Sequence, residues 1–383
     1  MANAQATLLV TLALVLLWSL GSVPAAGDTG SRVAERARQA AEFEALDPNG
    51  DGQIALFEMQ PATRPWMRLA DTSRDGALDL DEYVAFLDQP GGDFDAPLPE
   101  NVELIADIPY AGTEHHRQQL DLLLPRVRET EGPLPVIVYV HGGGWSLGSR
   151  LMARPQVAPH VASGHYAAAA IGYRLSGEVS YPAPLHDLKA GIRWIRANAS
   201  RHGLDASRIC VMGASAGGHL TSLIATTNGS TEHAGSLGPH RSESSDVQCA
   251  IPLFGSTDLV RQAPQATGGS SRRDAFLGGG GEAVLAAARS ASPILHVDPS
   301  DPPFYFIHGT KDRLVPYDHS VNLDRELRAA EVPTALLTIE GGGHGNFFRP
   351  EITRRVRGVL DHRLRGIGPA PRSETLQHPP PGE

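Results

Sequence analysis

A serine near the middle of the chain has the surroundings of an enzymatic nucleophile. Ser215 lies in the stretch Gly213-Ala-Ser-Ala-Gly217, which follows the apolar run Ile-Cys-Val-Met and precedes a helix-like segment. Glycines on both sides permit a strained turn from strand to helix that exposes the serine hydroxyl. Such a hydroxyl attacks a carbonyl only with a base to take its proton and donors to hold the oxyanion. The pattern predicts covalent catalysis by Ser215 and requires those partners elsewhere.

A run of three glycines is the candidate for the oxyanion donors. His141-Gly-Gly-Gly-Trp145 follows a second apolar run, and His141 lies 74 residues before Ser215. Glycines let backbone N–H groups approach a substrate oxygen without obstruction by side chains. Because the run follows a strand-like segment, we interpret it as an oxyanion loop rather than a plain polyglycine turn.

The general base has to be one of 16 histidines. His344 lies in the glycine-rich stretch 340–346, between the last strand-like and the last helix-like segment. His319 and His296 lack such a setting, and His219 is expected to pack on a helix. We therefore predict His344 as the base.

The acid that orients the base is expected on the loop after the preceding strand. Asp312 occupies that position, in the stretch His308-Gly-Thr-Lys-Asp312. Asp318 and Asp301 are the competitors, and a helix cap and a turn explain them equally well. The chain order serine, aspartate, histidine is the order found in α/β-hydrolases.

Strand-like and helix-like segments alternate from residue 101 onward and predict a mostly parallel sheet with helices on both faces. The first two strands precede any helix and are expected to pair antiparallel. We assign 101–366 to this catalytic domain, 90–100 to a linker and 367–383 to a disordered tail. The predicted strands are 102–109, 119–124, 136–141, 167–173, 209–213, 250–254, 304–308 and 335–339, and the predicted helices are 185–202, 216–226, 319–330 and 350–365.

Taken together, these motifs resemble the α/β-hydrolase superfamily, and most closely its hormone-sensitive-lipase-like and bacterial feruloyl-esterase-like (BD-FAE) carboxylesterases. The resemblance rests on the sequences HGGGW, IGYRL, YPAPLHDL, GASAGGHL, HGTKDRLVP and EGGGHGNFF. It implies that Ser215 attacks an ester carbonyl, that His344 takes its proton, and that Asp312 holds the imidazole. It also implies an oxyanion hole made by the backbone N–H groups of Gly143, Gly144 and Ala216.

Two further positions refine this resemblance. Many hormone-sensitive-lipase relatives carry aspartate directly before the serine, whereas this chain has Ala214. That difference favours the feruloyl-esterase-like branch. Asp187, in the YPAPLHDL motif, is expected to be structural and to tie the region of Tyr173 and Arg174.

Two acidic segments before the catalytic domain match the twelve-residue calcium loop of EF-hands. Residues 47–58 and 71–82 each have glycine at position 6 and glutamate at position 12, a spacing that supplies hard oxygen ligands to Ca²⁺. The segment resembles the EF-hand family, and we predict a small α-helical EF-hand pair over residues 31–89 with structural calcium. Its expected ligands are Asp47, Asn49, Asp51, Gln53, Glu58, Asp71, Ser73, Asp75, Ala77 and Glu82, with Ile54 and Leu78 pairing the loops.

The N-terminus predicts export. Residues 8–20 are almost wholly apolar and are followed by Val23 and Ala25, which suit a signal peptidase. No Lys or Arg precedes the run, and an uncleaved anchor is the alternative, although the run is short for a bilayer. We predict a signal peptide over residues 1–26 and a secreted or periplasmic protein.

In such a compartment, Cys210 and Cys249 either form a disulfide or are two buried apolar side chains.

Composition narrows the classes of function. The formal net charge is −10, from 33 basic and 43 acidic residues, which argues against a nucleic-acid partner. The leading hypothesis is a secreted serine carboxylesterase for small acyl, aryl or carbohydrate-linked esters that needs no cofactor for its chemistry. A prolyl-oligopeptidase-like peptidase and a calcium-dependent binding protein with an inactive hydrolase domain are the alternatives. A protein or surface partner is possible for the EF-hand segment, and no stable membrane insertion is expected after signal cleavage.

Overall fold

The structure of the chain is a computed structural model. It describes residues 40, 43–44, 47, 51–55, 77–80, 82, 98–261, 272–279, 282–345, 347 and 349–378. The predicted signal peptide lies outside these residues. The chain divides into residues 1–42, of which only Ala40 is described, and a unit from Phe43 to Glu383. The predicted linker at 90–100, of which residues 98–100 are described, therefore lies inside the second unit. None of the helices in the described part of the chain has the length and apolar character needed to cross a membrane.

A nine-stranded sheet forms the centre of the second unit. From one edge to the other, its strands run in the order β11-β10-β9-β8-β7-β5-β6-β4-β3. All neighbouring strands from β11 to β6 are parallel, whereas β4 pairs antiparallel with both β6 and β3. The strands are β3 Val102–Pro109, β4 Gln119–Pro125, β5 Leu134–Val140, β6 Ala167–Ile171, β7 Leu204–Ala214, β8 Cys249–Leu253, β9 Phe304–Gly309, β10 Thr334–Glu340 and β11 Glu374–Gln377.

The apolar strand sequences explain why helices cover both faces of the sheet. Every residue of β5, β6, β8 and β9 is buried, as expected for parallel strands with a layer on each side. The α-helices are α1 Arg154–Val161, α2 Ala183–Ala197, α3 Ala199–His202, α4 Ala216–Ala225, α5 Thr231–Ala234, α6 Arg272–Leu277, α7 Glu282–Ser290, α8 Asp318–Ala329 and α9 Pro350–Arg365, with 3₁₀ turns at Arg150–Ala153 and Pro293–Leu295. The predicted α/β-hydrolase architecture, including the antiparallel pairing of the first two catalytic-domain strands, is confirmed.

The expectation of a disordered tail is wrong for its central part. Residues after Gly366 return to the sheet, where β11 pairs in parallel with the edge strand β10. Arg355 of α9 forms an ion pair with Glu374, and Ser373 Oγ accepts a hydrogen bond from the backbone N–H of Leu336. The sequence did not predict this strand because its residues are polar, and an exposed edge strand needs no apolar side chains. Residues 379–383 lie outside the described residues.

Helices α1, α5, α6 and α7 were also not predicted. Pro159 lies inside α1, and the segment that contains α6 and α7 is interrupted by glycines. Their sequence patterns are therefore weak, and these helices are stabilised by packing against the rest of the domain. Phe276 of α6, for example, is fully buried.

A small two-stranded sheet precedes the catalytic domain. It consists of β1 Gln53–Ala55 and β2 Ala77–Asp79, which pair antiparallel with Ile54 opposite Leu78. This is the contact expected between position 8 of the two acidic loops. Both side chains are buried, at 0% and 2% exposure, so the pair has an apolar centre despite its acidic surroundings.

The two cysteines form a disulfide. Strands β7 and β8 are parallel neighbours with Cys210 directly opposite Cys249, and the two sulfur atoms are bonded. Both residues are almost completely buried. Of the two alternatives that the sequence left open, the structure has the disulfide.

A buried carboxyl before β9 makes stability depend on pH. Burial raises the pKa of Asp301 to about 7 from its ordinary value of 3.8. The folded chain therefore retains a proton on Asp301 that the unfolded chain loses, and the resulting stabilisation declines as the pH rises from 3.8 to 7. In Asp301→Asn, which keeps an acceptor for the backbone N–H of Asp298, we expect the decline to disappear. At pH 8 the variant should be more stable than the wild type by on the order of 1–3 kcal/mol. Thermal unfolding from pH 4 to 8 tests this, and parallel curves for the two proteins would contradict it.

Candidate active site

The predicted nucleophile lies at a sharp turn at the carboxyl end of β7. Ser215 has φ 56° and ψ −118°, a backbone conformation that L-residues rarely adopt, and it directly precedes α4. Its N–H donates to the carbonyl of Leu253 on the neighbouring strand, which helps to hold the turn. The strained turn directs the hydroxyl away from the sheet, as the G-x-S-x-G spacing predicts.

The glycines around Ser215 are required by close backbone contacts. A Cβ on Gly217 would lie 2.1 Å from the carbonyl oxygen of Val140, and a Cβ on Gly218 would lie 2.5 Å from that of Leu253. Only glycine allows the first turn of α4 to approach β5 and β8 so closely. This approach positions the amino end of α4 beside the hydroxyl.

Three predicted catalytic side chains form one hydrogen-bonded chain. His344 Nε2 lies 2.9 Å from Ser215 Oγ, and His344 Nδ1 lies 2.7 Å from Asp312 Oδ2. Phe254, directly after β8, packs edge-on against the imidazole with ring centroids 4.8 Å apart. The imidazole thus faces the serine on one side and a carboxylate on the other, the arrangement required of a general base.

Asp312 is held as a carboxylate. Its Oδ1 accepts the backbone N–H groups of Leu314 and Val315, both at 2.9 Å, and its Oδ2 also lies 3.1 Å from His308 Nε2. Burial alone raises the pKa of Asp312, but the hydrogen bonds from His308, His344 and the Val315 N–H hold it well below its usual value. A permanent negative charge therefore faces His344.

The glycine loop after β5 lies against the nucleophile. A Cβ on Gly142 would be 3.4 Å from the Cβ of Ser215. Gly143 has φ 110°, and a Cβ there would lie 2.1 Å from the carbonyl oxygen of Leu147, so this turn requires glycine. Among the hydrogen bonds of the described residues, none uses the N–H groups of Gly143, Gly144 or Ala216. Ala216 directly follows Ser215 in the chain, and Gly143 and Gly144 follow Gly142, the glycine that approaches Ser215.

Trp145 anchors that loop to the scaffold. Its indole N–H donates to His219 Nδ1 at 3.0 Å, and His219 Nε2 in turn lies 2.7 Å from the carbonyl oxygen of Ala291. The indole also stacks on Phe276, with ring centroids 4.9 Å apart. Burial lowers the pKa of His219 to about 4, so its ring is neutral and its Nδ1 accepts a hydrogen bond from the indole N–H. His219 is therefore a packing residue on α4, as the sequence indicated, and its partner is Trp145 at the end of the glycine loop.

Loss of the Trp145 hydrogen bond should affect catalysis as well as stability. In Trp145→Phe an aromatic ring remains against Phe276, but the buried Nδ1 of His219 loses its donor. Leaving such a group unsatisfied costs about 1–3 kcal/mol. We expect a lower melting temperature and roughly a tenfold loss of kcat on an ester substrate, because the donors next to Trp145 lose their alignment.

Trp194→Phe is the matched control for that substitution. Trp194 is 9% exposed on α2 and packs near His202, away from the glycine loop. The control should lower stability and leave kcat within about twofold. Equal losses of activity in the two variants would contradict the anchoring role of Trp145.

The other histidines considered as bases do not reach the serine. His319 is buried on α8 and accepts a hydrogen bond from the N–H of Thr257, and burial lowers its pKa to about 4. His296 lies beside the carbonyl oxygen of Ser290. His141 is buried and stacked on Tyr173, and burial lowers its pKa to about 3. It supports the glycine loop as a neutral ring.

The competing acids lie elsewhere too. Asp318 is exposed at the start of α8, and Asp301 accepts the N–H of Asp298 in the turn before β9. Asp187, expected to be structural, is fully buried, pairs with the guanidinium of Arg174 and accepts a hydrogen bond from Gln118. The residue that sequence reasoning missed is His308, the second imidazole on Asp312. His308 begins the HGTKD motif, four residues before Asp312, and this short spacing was the signal that could have identified it.

Half of the predicted calcium ligands belong to the described residues. Asp47 Oδ2 accepts the N–H of Gly52 at 2.8 Å, and Gly52 has φ 82° at the sharp turn of the first loop. Gln53 and Ala77 are expected to offer backbone carbonyls, and in the β1–β2 sheet Gln53 pairs with Asp79 and Ala77 pairs with Ala55. The remaining described ligands are Asp51 and Glu82, whereas Asn49, Glu58, Asp71, Ser73 and Asp75 lie outside the described residues.

A strained serine between β7 and α4, hydrogen-bonded to a histidine on the β10–α9 loop, is the site architecture of an α/β-hydrolase. The family model named BD-FAE matches residues 120–327. That is more than half of the chain, so the protein belongs to the BD-FAE family. The matched range contains Ser215 and Asp312, whereas His344 lies beyond it.

Several proteins of similar sequence or fold are named as esterases. Esterase LipC of Mycobacterium tuberculosis is 32% identical over 224 residues, which is 56% of this chain and 53% of LipC. The chain spans about half the length of the curated relatives it matches first. Among solved structures, a truncated carbohydrate esterase from gut microbiota has a TM-score of 0.65 and 28% identity, covering 70% of this chain and 99% of that one. A bifunctional GH43-CE protein of Bacteroides eggerthii has a TM-score of 0.63 and 31% identity, covering 68% and 35%.

Proposed function

We propose that the protein is a serine carboxylesterase. The observation that carries the proposal is the continuous hydrogen-bonded chain from Ser215 Oγ through His344 to Asp312 Oδ2, with contacts of 2.9 and 2.7 Å. An inactive binding protein would need none of these contacts. The similarity to esterases over the same part of the chain supports the same conclusion.

Acylation follows from the directions of these hydrogen bonds. Ser215 Oγ forms a bond to the ester carbonyl carbon while His344 Nε2 takes the hydroxyl proton, and the carbonyl electron pair moves to the oxygen. The N–H groups of Gly143, Gly144 and Ala216 would bind that oxyanion, and Asp312 stabilises the imidazolium. The tetrahedral intermediate collapses when the ester C–O bond breaks, and His344 gives its proton to the departing alkoxide.

Deacylation repeats these steps with water as the nucleophile. His344 Nε2 takes a proton from water as its oxygen bonds to the acyl carbon, and the same three N–H groups would bind the second oxyanion. Collapse breaks the bond to Ser215 Oγ, which recovers its proton from His344 as the carboxylic acid leaves. The chemistry needs no cofactor.

The proposed substrates are small acyl, aryl or carbohydrate-linked esters. A structural neighbour described as a carbohydrate esterase favours an alcohol part that is a sugar. Trp145 and Phe276 stack next to the glycine loop, but both are buried, so they support the loop and offer no face to a substrate.

Hydrolysis of p-nitrophenyl acetate, butyrate and octanoate, together with acetylated and feruloylated xylo-oligosaccharides, tests the proposal. We expect turnover of short-chain esters that is lost in Ser215→Ala. A wild type and a Ser215→Ala variant that are indistinguishable on every ester would reject it. Turnover of the nitrophenyl esters alone would support the esterase and reject a carbohydrate-linked substrate.

We further propose that the protein works outside the cytoplasm. The apolar segment 8–20 supports this, and the Cys210–Cys249 disulfide is a bond that persists in oxidising compartments. N-terminal sequencing of the protein recovered from the periplasm or the medium tests the prediction of a cleaved segment 1–26. Recovery of uncleaved protein in the membrane fraction would favour the anchor instead.

We also propose that loops 47–58 and 71–82 bind calcium as a structural element. The described residues fit an EF-hand pair, since Gly52 has positive φ and β1 pairs with β2 between the loops. The ligands would be Asp47, Asn49, Asp51, Gln53, Glu58, Asp71, Ser73, Asp75, Ala77 and Glu82. When bound, Ca²⁺ would neutralise the carboxylates that these loops bring together.

Calcium titration followed by calorimetry tests this assignment. We expect binding by the wild type, a higher melting temperature in calcium than in EDTA, and loss of both effects in Glu58→Gln/Glu82→Gln. Unchanged unfolding in calcium and EDTA would contradict it. Measuring ester hydrolysis under the same two conditions separates a calcium segment that supports the active site from an independent one.

A further inference from the structure

A second imidazole contacts the catalytic carboxylate. Asp312 Oδ2 lies 2.7 Å from His344 Nδ1 and 3.1 Å from His308 Nε2. Oδ1 accepts the N–H groups of Leu314 and Val315. The carboxylate therefore has two backbone donors on one oxygen and two imidazole donors on the other. His308 does not touch Ser215 and has no part in the proton transfers described above.

The surroundings of His308 determine its tautomer. Its Nε2 lies 3.1 Å from Asp312 Oδ2 and 3.0 Å from the carbonyl oxygen of Val315, both of which can only accept, so Nε2 carries a proton. Its Nδ1 lies 2.7 Å from Ser320 Oγ, whose hydroxyl can donate. A neutral ring satisfies all three contacts. His308 and Ser320 are 0% and 1% exposed, so solvent does not compete.

This arrangement resists rotation of the carboxylate. Rotation about the Cβ–Cγ bond would withdraw Oδ1 from two backbone donors and Oδ2 from two imidazoles at the same time. Because His308 lies on β9 and Ser320 on α8, the sheet and a packed helix together maintain the position of Oδ2. A side chain with no donor at position 308 would leave Oδ2 with His344 as its remaining imidazole partner.

We propose that His308 is a positioning residue that aligns Asp312 Oδ2 with His344 through its Nε2–H, and that Ser320 supports the ring by donating to its Nδ1. This inference rests on the proposed ester hydrolysis. His308 acts through Asp312 and never contacts substrate. It also shares the charge of Oδ2, which moderates how strongly Asp312 stabilises the His344 imidazolium.

The test compares His308→Leu, which removes the donor at similar volume, with His308→Gln, which can restore an N–H near Nε2. In His308→Leu we expect kcat to fall by about 10- to 100-fold with KM changed less than about threefold. The acid limb of the pH profile of kcat/KM should move to higher pH, because an unshared carboxylate stabilises the imidazolium more. His308→Gln should recover kcat to within about fivefold of the wild type. The kcat of Ser320→Ala should lie between those of His308→Leu and His308→Gln.

His160→Leu provides the matched control. His160 is also a buried histidine, 1% exposed, with Nδ1 accepting a hydrogen bond from Arg357, and it lies on α1 away from the triad. The control should lose stability and keep both kcat and the pH profile. If His308→Leu lowers kcat without moving the acid limb, or if glutamine restores nothing, His308 is a structural residue and the inference is wrong.

Labelling of Ser215 by a fluorophosphonate separates this inference from the proposed function. The rate of labelling depends on the same base and acid but not on ester specificity. If the wild type is labelled and hydrolyses no ester, the proposed function fails while slower labelling of His308→Leu, recovered in His308→Gln, still supports the positioning role. Equal labelling rates in wild type and His308→Leu would overturn it, as would a wild type that is not labelled at all.

Discussion

Replacement of His344 by alanine is expected to lower kcat on an ester by on the order of 10⁵- to 10⁶-fold. His344 Nε2 is the base within 2.9 Å of Ser215 Oγ, and without it the hydroxyl keeps its proton. KM should change little, because the substitution leaves the glycine loop and the rest of the site in place. Steady-state kinetics at saturating p-nitrophenyl acetate, with a burst measurement to detect the acyl-enzyme, provide the test.

The double variant sharpens this prediction. Since Ser215 and His344 act in the same step, Ser215→Ala/His344→Ala should be no slower than either single variant. The buried His319, replaced by glutamine, is the control and should keep kcat within about threefold. Residual activity of His344→Ala above about one hundredth of the wild type would mean that another group acts as the base.

Replacement of Asp312 by asparagine should cost about 10⁴-fold in kcat. The backbone N–H groups of Leu314 and Val315 hold Oδ1, so they will select the amide oxygen of asparagine for that position. The amide NH₂ must then occupy the place of Oδ2 and donate to His344 Nδ1. This moves the imidazole proton to Nε2, which can no longer accept the proton of Ser215. The substitution therefore disables the base through its tautomer while leaving its position almost unchanged.

Asp318→Asn is the control for that experiment. Asp318 is exposed, six residues further along the chain, and was a competing candidate for the acid. It should keep kcat within about twofold, while Asp312→Asn keeps its ability to bind a product analogue. Similar losses in both variants, or less than about a tenfold loss in Asp312→Asn, would remove Asp312 from the proposed mechanism.

Local sequence was sufficient for the turn at Ser215 and for most of the sheet. The glycines at 213 and 217 are forced by backbone contacts within 2.7 Å, so any chain with this turn needs them and the motif can be read directly. Fully buried strands such as β5 and β9 are continuous apolar runs, which explains why all eight predicted strands occur. Edge strand β11 has no such run, and its hydrogen-bonding partner is 37 residues away in sequence.

The amino-acid sequence alone established the α/β-hydrolase architecture and identified Ser215, Asp312 and His344 as candidates, because each follows a strand whose pattern is local. It predicted His344 from among 16 histidines without establishing its contact with the serine, and it left open whether the cysteines are bonded. Both depend on the order of strands in the sheet, which places β8 between β7 and β9 and brings residues 129 positions apart within hydrogen-bonding distance. The contact of the second imidazole, that of His308, with Asp312 also depends on the tertiary structure. His308 points at the carboxylate only because β9 and α8 pack together, and contacts made by packing leave no periodic pattern in the sequence.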